Sequence, residues 1–370
     1  MSDKSILFVP DTFAHYRANV FNSIFSKIST NFPSIYLAFD NIDINYLPQS
    51  SSISSLFKYV SVKNFFFKNI VFWQKNLFYF IFSNRKSLKI IVFWGDSYRL
   101  STWLSSIFAR LYGIKVIFWT HGLYGNENPI KLFFRLIFYK LANTLFLYGK
   151  HSDFLLKSSF FSFNTLVVGN SLFDSSKLYS IRKSVRPLSL DIIRICFIGR
   201  LTSIKNIQLL FDAISLIPKS TPYIIDIVGD GPLFNKLSVS SNNNNINVKY
   251  HGAIFDTDEI INIVSNCNMI VSPGNVGLLA QHALSMGRPV ITHSDSSYQM
   301  PEFDLLVNHY NSVFFDRGSA ISLANSILLC FYLLRSDIIT SSNCFSSALS
   351  SSVNKQASLV SNFINNYVQK

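Results

Sequence analysis

The sequence predicts an α/β fold with two domains, each built on a parallel sheet that is covered by helices. Three observations support this prediction. Short apolar runs alternate with segments of helical periodicity along most of the chain, a pattern typical of parallel sheets. A length of 370 residues is enough for two hydrophobic cores. A polar stretch at 174–191 separates two such alternating halves and is interpreted as a linker.

The N-terminal half, predicted as one domain over 1–173, begins with a short apolar run that indicates a buried strand. Comparable runs recur, and amphipathic segments between them indicate helices. The predicted strands cover 5–9, 34–39, 89–94, 115–119, 144–147 and 165–168. The predicted helices cover 14–28, 98–111 and 130–141.

The C-terminal half, predicted as a second domain over 192–350, repeats the alternation. Its predicted strands cover 192–198, 223–228, 246–250, 269–271 and 290–292. Its predicted helices cover 206–216, 233–240, 256–264, 278–286 and 320–334, and a last helical segment runs to about residue 369. The Asp256-Thr257-Asp258 sequence resembles a metal-binding signature, but its place at a helix start favours capping.

Composition narrows the function classes. The net charge is +13, which suits an anionic substrate, an anionic membrane surface or nucleic acid. No zinc-finger spacing, recognition-helix signature or arginine-rich run is present, so nucleic acid is not expected as a partner. The four cysteines form no C-x-x-C pair, which indicates buried free thiols in a reducing compartment. We see no signal peptide and no uninterrupted apolar run of the ~20 residues that span a bilayer.

The most informative stretch of the chain joins a buried strand to two cations. It reads Cys196-Phe197-Ile198-Gly199-Arg200-Leu201-Thr202-Ser203-Ile204-Lys205-Asn206. A glycine at a strand end, an Arg, a Lys and a helix start together make a good binding place for a diphosphate. A second strand ends in a tight turn at 224–232, and 271–290 reads as a strand, a glycine turn, a helix and a strand.

These three segments resemble the nucleotide-binding half of GT-B glycosyltransferases, specifically the retaining family 4. The residues that match the family pattern are Gly199, Arg200, Leu201, Lys205, Gly229, Asp230, Gly231, Pro232, Gly277, Gly287, Pro289 and Val290. The resemblance implies two Rossmann-like domains with parallel sheets facing across a cleft. It also implies that a C-terminal helix over 351–370 crosses back to the N-terminal domain.

The resemblance assigns the donor-binding residues. Arg200, Lys205 and Gly277 would hold the donor diphosphate, where fixed charge helps the transition state most. The family has a Glu that contacts the donor sugar and a second Glu that binds the ribose hydroxyls. Gly274 and His282 occupy these two positions here. We therefore expect donor contacts from 274–276, with Asn275 partly substituting at the sugar beside Val276, and an altered ribose contact from His282.

Candidate residues of the N-terminal domain follow two strands. His121 comes directly after a strand, where the resemblance places a histidine near the donor sugar, and Glu127 in the same loop is a candidate base for the acceptor hydroxyl. These two are the predicted catalytic residues. Arg17 is either an anion contact or part of a capped surface helix. Glu302 follows the strand at 290–292 and is either a substrate contact or part of a structural turn.

The predicted function is transfer of a sugar from a nucleoside-diphosphate sugar to a hydroxyl of a glycan acceptor. The resemblance implies retention of configuration, no required metal or other cofactor, and a setting such as bacterial O-antigen, lipopolysaccharide or capsule assembly. The basic aromatic segments at 65–75 and 131–140 suit an anionic membrane surface or a buried core. We expect a polyprenyl-diphosphate-linked acceptor and a peripheral location at the inner face of the cytoplasmic membrane. Two alternatives are a sugar-nucleotide epimerase and an inactive scaffold of a glycan-assembly complex.

Overall fold

The computed structural model describes residues 4–10, 17–40, 56–68, 70–244 and 246–369. The chain divides into two compact units. Unit 1 comprises 1–172 together with 353–370, and unit 2 comprises 173–352. Each unit has its own hydrophobic core, and the two are described separately.

Unit 1 alternates strands and helices. Its strands are β1 (Ser5–Val9), β2 (Ser34–Phe39), β3 (Lys58–Ser61), β4 (Lys63–Phe67), β5 (Ile70–Lys75), β6 (Leu88–Trp94), β7 (Lys115–Thr120), β8 (Thr144–Leu147) and β9 (Thr165–Val167). The helices among them are α1 (Ala18–Ile28), α2 (Leu77–Asn84), α3 (Leu100–Leu111), α4 (Pro129–Tyr139) and α5 (Lys150–Lys157).

Unit 2 continues the alternation. Its helices are α6 (Ser175–Ser184), α7 (Ile207–Ile214), α8 (Phe234–Asn243), α9 (Thr257–Ser265), α10 (Leu279–Ser285), α11 (Ala320–Arg335) and α12 (Ser341–Ser350). Its strands are β10 (Ile193–Ile198), β11 (Tyr223–Val228), β12 (Val248–Gly252), β13 (Met269–Ser272), β14 (Val290–His293) and β15 (Ser312–Phe315). Helix α13 (Val353–Gln369) then belongs to unit 1.

Each unit is a parallel sheet covered by helices on its two faces. The seven-stranded sheet of unit 1 has the order β3-β2-β1-β6-β7-β8-β9 and the six-stranded sheet of unit 2 the order β12-β11-β10-β13-β14-β15. Strands buried on both faces need continuous apolar sequence, and every residue of Ser5–Val9 is buried. Strands β4 and β5 form a separate antiparallel hairpin.

The two faces of the unit 1 sheet carry different helices because successive strand residues point to opposite sides. Ile6 and Phe8 pack into one core cluster with α1 and α13. Leu7 and Val9 pack into the other, with buried residues of α2, α3, α4 and α5. The outer surface of unit 1 therefore has one side formed by α1 and α13 and another formed by α2 to α5.

The predicted strands are confirmed to within a few residues, as is capping by Asp256, whose carboxylate accepts hydrogen bonds from Asp258 N and Glu259 N at 2.8 Å. The helix predicted over 14–28 is described from Ala18, and 14–16 lie outside the described residues. The segment interpreted as a linker contains helix α6, which packs into unit 2. The four cysteines are free and buried, as expected. Among the helices that the structure describes, none is both long enough and apolar enough to span a bilayer.

Candidate active site

The carboxyl ends of the central strands lie at the point of each sheet where the strand order reverses. In unit 1 this point is between β1 and β6, and in unit 2 between β10 and β13. Loops leaving such adjacent strands diverge to opposite faces, which opens a crevice that commonly binds ligands. All the candidate residues except Glu302 and His282 lie in or beside loops that follow the carboxyl end of a strand.

In unit 2 the loops after β10 and β11 approach so closely that only glycine fits. A Cβ atom on Gly229 would lie 2.0 Å from the carbonyl oxygen of Gly199, and the φ angle of Gly229 is +143°. Gly199 N donates to Val228 O at 2.9 Å. The glycines therefore bring the chain beside Arg200 against the turn at 229–231.

A cavity of about 460 Å³ opens between these loops. Arg200 lies on its wall with an exposed side chain, together with Asp230. The loop after β12 supplies the opposite wall through Ile254 and Phe255, and Phe255 is 92% exposed. This loop was not predicted from the sequence as part of the site, although its position after a strand end was a usable signal. An exposed ring beside a cation suits a planar, anionic ligand such as a nucleotide.

Lys205 lies deeper than Arg200 and is held by its neighbours. Its Nζ donates to the carbonyl oxygen of Asn275 at 2.7 Å and to Asn275 Oδ1 at 2.9 Å. Burial lowers the pKa of Lys205, whereas the charge of Glu302 raises it. Glu302 is itself buried in the 3-10 turn Pro301–Leu305. The structure thus brings together three residues that the sequence analysis named separately.

Gly274 has no space for a side chain. Its Cβ atom would lie 1.9 Å from the carbonyl oxygen of Ile204. Gly274 N also donates to Lys205 O at 3.1 Å, so the loop after β13 lies flat against the loop after β10. The missing carboxylate at this position therefore has a steric reason.

The next residue of the turn but one, Val276, is held by the core and by a hydrogen bond. Val276 is 1% exposed and belongs to the core of unit 2, and its N–H donates to Gln299 Oε1 at 2.8 Å. The side chain and the amide of Val276 are therefore engaged within unit 2, and its contact with the donor stays a prediction. Gln299 also donates to Thr292 Oγ1 and was not found from the sequence. Gly277 has a left-handed φ of +54°, and its contact with a diphosphate stays a prediction.

His282 lies in α10 as a half-buried side chain whose Nδ1 atom is buried. Its ring meets Phe173 edge to face at 5.3 Å between centroids. Burial lowers the pKa of His282 to about 4. Its Nδ1 has no hydrogen-bond partner within the described part of the chain. A neutral imidazole with an unused nitrogen is able to bind a hydroxyl group, so the ribose contact stays a prediction.

Unit 1 has a second cavity, of about 270 Å³, at the ends of its central strands. It is lined by residues that follow β6, β7 and β8 and by Arg17, which follows β1. The lining residues are Arg17, Trp94, Gly95, Asp96, Ser97, Trp119, Thr120, His121, Gly122, Tyr124, Arg135, Tyr139 and Tyr148. Two Arg, one Asp and several hydroxyl groups make this cavity polar, with aromatic walls.

Two predicted residues, Arg17 and His121, meet in this cavity. The Arg17 guanidinium lies 5.5 Å from the ring centroid of Trp94 and 5.1 Å from that of Tyr148, and it donates to the Tyr148 hydroxyl. The imidazole of His121 packs on Tyr148 at 4.7 Å. Burial, reinforced by the Arg17 charge, lowers the pKa of His121 to about 4. A neutral imidazole thus lies close to a fixed cation.

Glu127 holds its own loop together. Its Oε1 accepts from Tyr124 N at 2.7 Å, its Oε2 accepts from Gly125 N at 2.9 Å, and Arg135 Nη1 lies 3.1 Å from Oε1. With both oxygens engaged, these contacts favour a structural role over the predicted base. Asp96 is instead the carboxylate that lines the cavity. The sequence analysis overlooked it, although it follows a predicted strand by two residues.

The comparisons with known proteins agree with this architecture. Residues 193–331 match the family model described as glycosyl transferases group 1. The chain resembles the lipopolysaccharide outer core galactosyltransferase WaaB, solved in its apo form, at 15% identity and a TM-score of 0.71, covering 98% of this chain and 99% of that one.

Two further solved structures are similar. Anabaena Alr3699/HepE in complex with UDP has 15% identity and a TM-score of 0.69 over 98% of this chain and 100% of that one. A glycosyltransferase from Rickettsia africae has 15% identity and a TM-score of 0.68 over the full length of both. No curated protein sequence matched. The matched domain gives the enzyme class, glycosyltransferase, and the solved structures give the fold, GT-B.

Proposed function

We propose that this glycosyltransferase moves a sugar, with retention of configuration, from a nucleoside-diphosphate sugar to a hydroxyl of a lipid-linked glycan. The proposed setting is bacterial surface-polysaccharide assembly, such as O-antigen, lipopolysaccharide or capsule. The observation that carries the proposal is that Arg200 and Lys205 follow the same strand, β10, within the matched segment, and that Asn275 of the neighbouring loop holds Lys205 in place. UDP is the first nucleotide to test, because HepE was solved with UDP and with UDP-glucose.

On the donor side, we propose that the 460 Å³ cavity takes the nucleotide and that Phe255 stacks on its base. Arg200 and Lys205 then face the diphosphate. Charge grows on that group as the glycosidic bond breaks, and a preorganised cation stabilises it without reorganisation. Lys205 is already fixed by Asn275, whereas the Arg200 side chain is exposed on the cavity wall.

On the acceptor side, we propose that the cavity of unit 1 takes the acceptor. Arg17, held between aromatic rings, suits the diphosphate of a polyprenyl-diphosphate-linked glycan. Asp96 and the neutral His121 provide hydrogen-bond acceptors for sugar hydroxyls. We propose further that no metal is required, because the cations of the donor site are side chains. A peripheral location at the inner face of the cytoplasmic membrane follows from a lipid-linked acceptor.

The test is calorimetric titration of the purified chain with UDP, GDP, CMP and dTDP, with and without EDTA. We expect one nucleotide to bind and EDTA to leave its affinity unchanged. Arg200→Ala should weaken that binding by about 2 kcal/mol, the scale of one charge-assisted contact, with no loss of thermal stability. Lys219→Ala, an exposed lysine of unit 2, is the matched control.

The outcomes separate the alternatives. Release of UDP from a UDP-sugar that depends on a glycan acceptor supports transfer. Conversion of the donor without an acceptor supports the epimerase. Failure to bind any nucleotide contradicts the proposal and supports the inactive scaffold.

A further inference from the structure

We propose that unit 1 docks onto an anionic lipid membrane through one defined surface. This docking face consists of hairpin β4–β5 and the outer sides of helices α2, α3 and α4. The inference rests on the membrane location proposed above but adds the surface that makes the contact. It is independent of whether sugar transfer occurs.

The docking face exposes large apolar side chains on consecutive elements. Three successive phenylalanines end strand β4, and Phe66 and Phe67 are 60% and 63% exposed. In α2, Tyr79 is 74% exposed. Helix α4 exposes Phe133 and Phe134. Scattered exposed apolar residues are ordinary, but a contiguous patch of this kind marks an interaction site.

These elements form one continuous surface. The backbone N–H of Gln74 in β5 donates to Ser101 Oγ in α3 at 3.2 Å. Phe78 of α2 packs on Phe108 of α3 with ring centroids 5.1 Å apart. Trp103 of α3 packs on Phe138 of α4 at 5.1 Å. The exposed side chains therefore lie on packed neighbours and not on separate parts of the unit.

The opposite face of unit 1 has a different surface. Helix α1 exposes Asn19, Ser26 and Lys27, none of them apolar. Helix α13 exposes Leu359 at 40% among polar residues. Both helices bury their apolar residues against the same parallel sheet. Among the described residues of unit 1, the large exposed apolar side chains are thus concentrated on the side away from α1 and α13, as expected for a protein that meets a planar partner on that side.

The charge of this region selects an anionic partner. Between residues 44 and 126 the sequence has ten Lys or Arg and a single carboxylate, Asp96, which lines the cavity. Of these cations, Arg99 is buried and Lys115 lies over Tyr367 of α13, whereas Lys63, Lys68 and Lys75 are exposed on or beside the hairpin. Lys63 and Lys75 are directly opposite each other in the hairpin register, and both are exposed. Like charges in opposed positions cost stability. Anionic headgroups between them would remove that cost, whereas an apolar partner surface would increase it.

The docking face also borders the acceptor cavity. Arg135 of α4 lines the cavity, while Phe133 and Phe134, two residues and one residue earlier in the same helix, are exposed on the docking face. Asp96 and Ser97 line the cavity, and exposed Tyr98 and Leu100 follow at the start of α3. A lipid whose chain stays in the bilayer would therefore present its polar head beside the cavity.

The experiment is co-sedimentation of the full chain with phosphatidylcholine vesicles and with vesicles that also contain phosphatidylglycerol. We expect binding to the anionic vesicles that salt weakens. Lys63→Glu/Lys75→Glu keeps a like-charged pair in the hairpin, so local repulsion is matched. It should lower partitioning at least about 20-fold, since each basic group near an anionic surface changes partitioning about fivefold. Phe66→Ser/Phe67→Ser should also lower it.

Two control variants locate the effect. Lys27→Glu/Lys355→Glu makes the same change of charge on α1 and α13, and Ile321→Ser/Tyr332→Ser removes two exposed apolar groups from α11 of unit 2. Both should bind vesicles like the parent. All variants should keep the parent's circular-dichroism spectrum and thermal unfolding curve, which shows that both units are folded.

An equal loss of vesicle binding in Lys27→Glu/Lys355→Glu would overturn the docking face, because binding would then follow net charge alone. No vesicle binding by the parent would overturn it as well. A dimer in analytical ultracentrifugation that Phe66→Ser/Phe67→Ser dissociates, without vesicle binding, would assign the face to a second copy instead. Vesicle binding by the Arg200→Ala variant should equal the parent's, so failure of the donor site and failure of docking are distinguishable.

Discussion

At the scale of single residues, Gly274 shows how a local contact excludes the family's acidic side chain. The carbonyl oxygen of Ile204 occupies the space that a Cβ atom would need. We predict that Gly274→Glu, which restores the family residue, lowers the free energy of unfolding by more than about 2 kcal/mol and yields no gain in turnover. Urea denaturation and steady-state kinetics measure the two effects.

The adjacent substitution Asn275→Ala is the control for this prediction. It removes the partner of Lys205 without adding volume, so it should cost only about 1 kcal/mol of stability while weakening nucleotide binding. A stable and more active Gly274→Glu variant would show that the two loops separate readily, contrary to the packing described.

Two half-buried histidines make stability depend on pH. The folded-state pKa values of His121 and His282 are both about 4, below the value of about 6.5 expected in the unfolded chain. Between these values the unfolded state binds protons that the folded state does not, so stability present above pH 6.5 falls as the pH is lowered towards 4. We predict that His282→Gln reduces the loss of unfolding free energy between pH 7 and pH 5 by about 1–2 kcal/mol.

The matched control is His309→Asn, at an exposed position whose left-handed backbone Asn tolerates. Denaturation curves at the two pH values should give the parent's pH dependence for this variant. The same pH dependence in His282→Gln would mean that the His282 imidazole is already solvated and that its burial does not govern its charge.

The sequence indicated where some candidate residues lie but not the hydrogen bonds that surround others. Arg200 and Lys205 are cations at a strand end, a pattern that chain order alone reveals, and both lie in the loops at the predicted place. The amide of Val276 donates to Gln299, 23 residues away, a contact that chain order does not reveal. Glu127 is engaged by its own loop and by Arg135, and substrate contacts of both residues stay predictions. Asp96 was missed because a single Asp after a strand carries no pattern of its own.

At the scale of elements, helix α6 shows that a polar composition does not make a linker. Leu178 and Ile181 are four-fifths of a helical turn apart and are buried in the core of unit 2. We predict that Leu178→Ala lowers the free energy of unfolding of unit 2 by about 2–5 kcal/mol, as for other buried leucines. Lys183→Ala, exposed in the same helix, should change it by less than about 0.5 kcal/mol.

Hairpin β4–β5 escaped prediction for a related reason. Its phenylalanines are exposed, so the period-2 alternation that identifies a half-buried strand is absent. Strands β1 and β10 were found easily because both faces of a parallel sheet are buried, which demands a continuous apolar run. The sequence pattern thus identifies central strands that are buried on both faces and misses the exposed hairpin. The short edge strands β3 and β15 of the two sheets were not predicted either.

At the scale of the whole molecule, the chain crosses from unit 2 back into unit 1 at residue 353. Helix α13 places Val353, Ala357, Val360 and Ile364 in the core cluster of unit 1, although these residues are distant in sequence from the rest of that cluster. The order of helices and strands alone does not reveal this return. It was expected only from the resemblance to GT-B glycosyltransferases.

Because α13 completes the core of unit 1, we predict that a change in this helix unfolds unit 1 and leaves unit 2 folded. Val360 is fully buried, so Val360→Asp puts an unpaired charge into the core of unit 1 and should unfold it. Unit 2 has a separate core and should still bind the nucleotide in calorimetry. Limited proteolysis should then leave a protected fragment close to 173–352. Asn362→Asp, at an exposed position of the same helix, should leave both units as resistant to proteolysis as in the parent. Loss of nucleotide binding in Val360→Asp would show that the two cores fold as one cooperative unit.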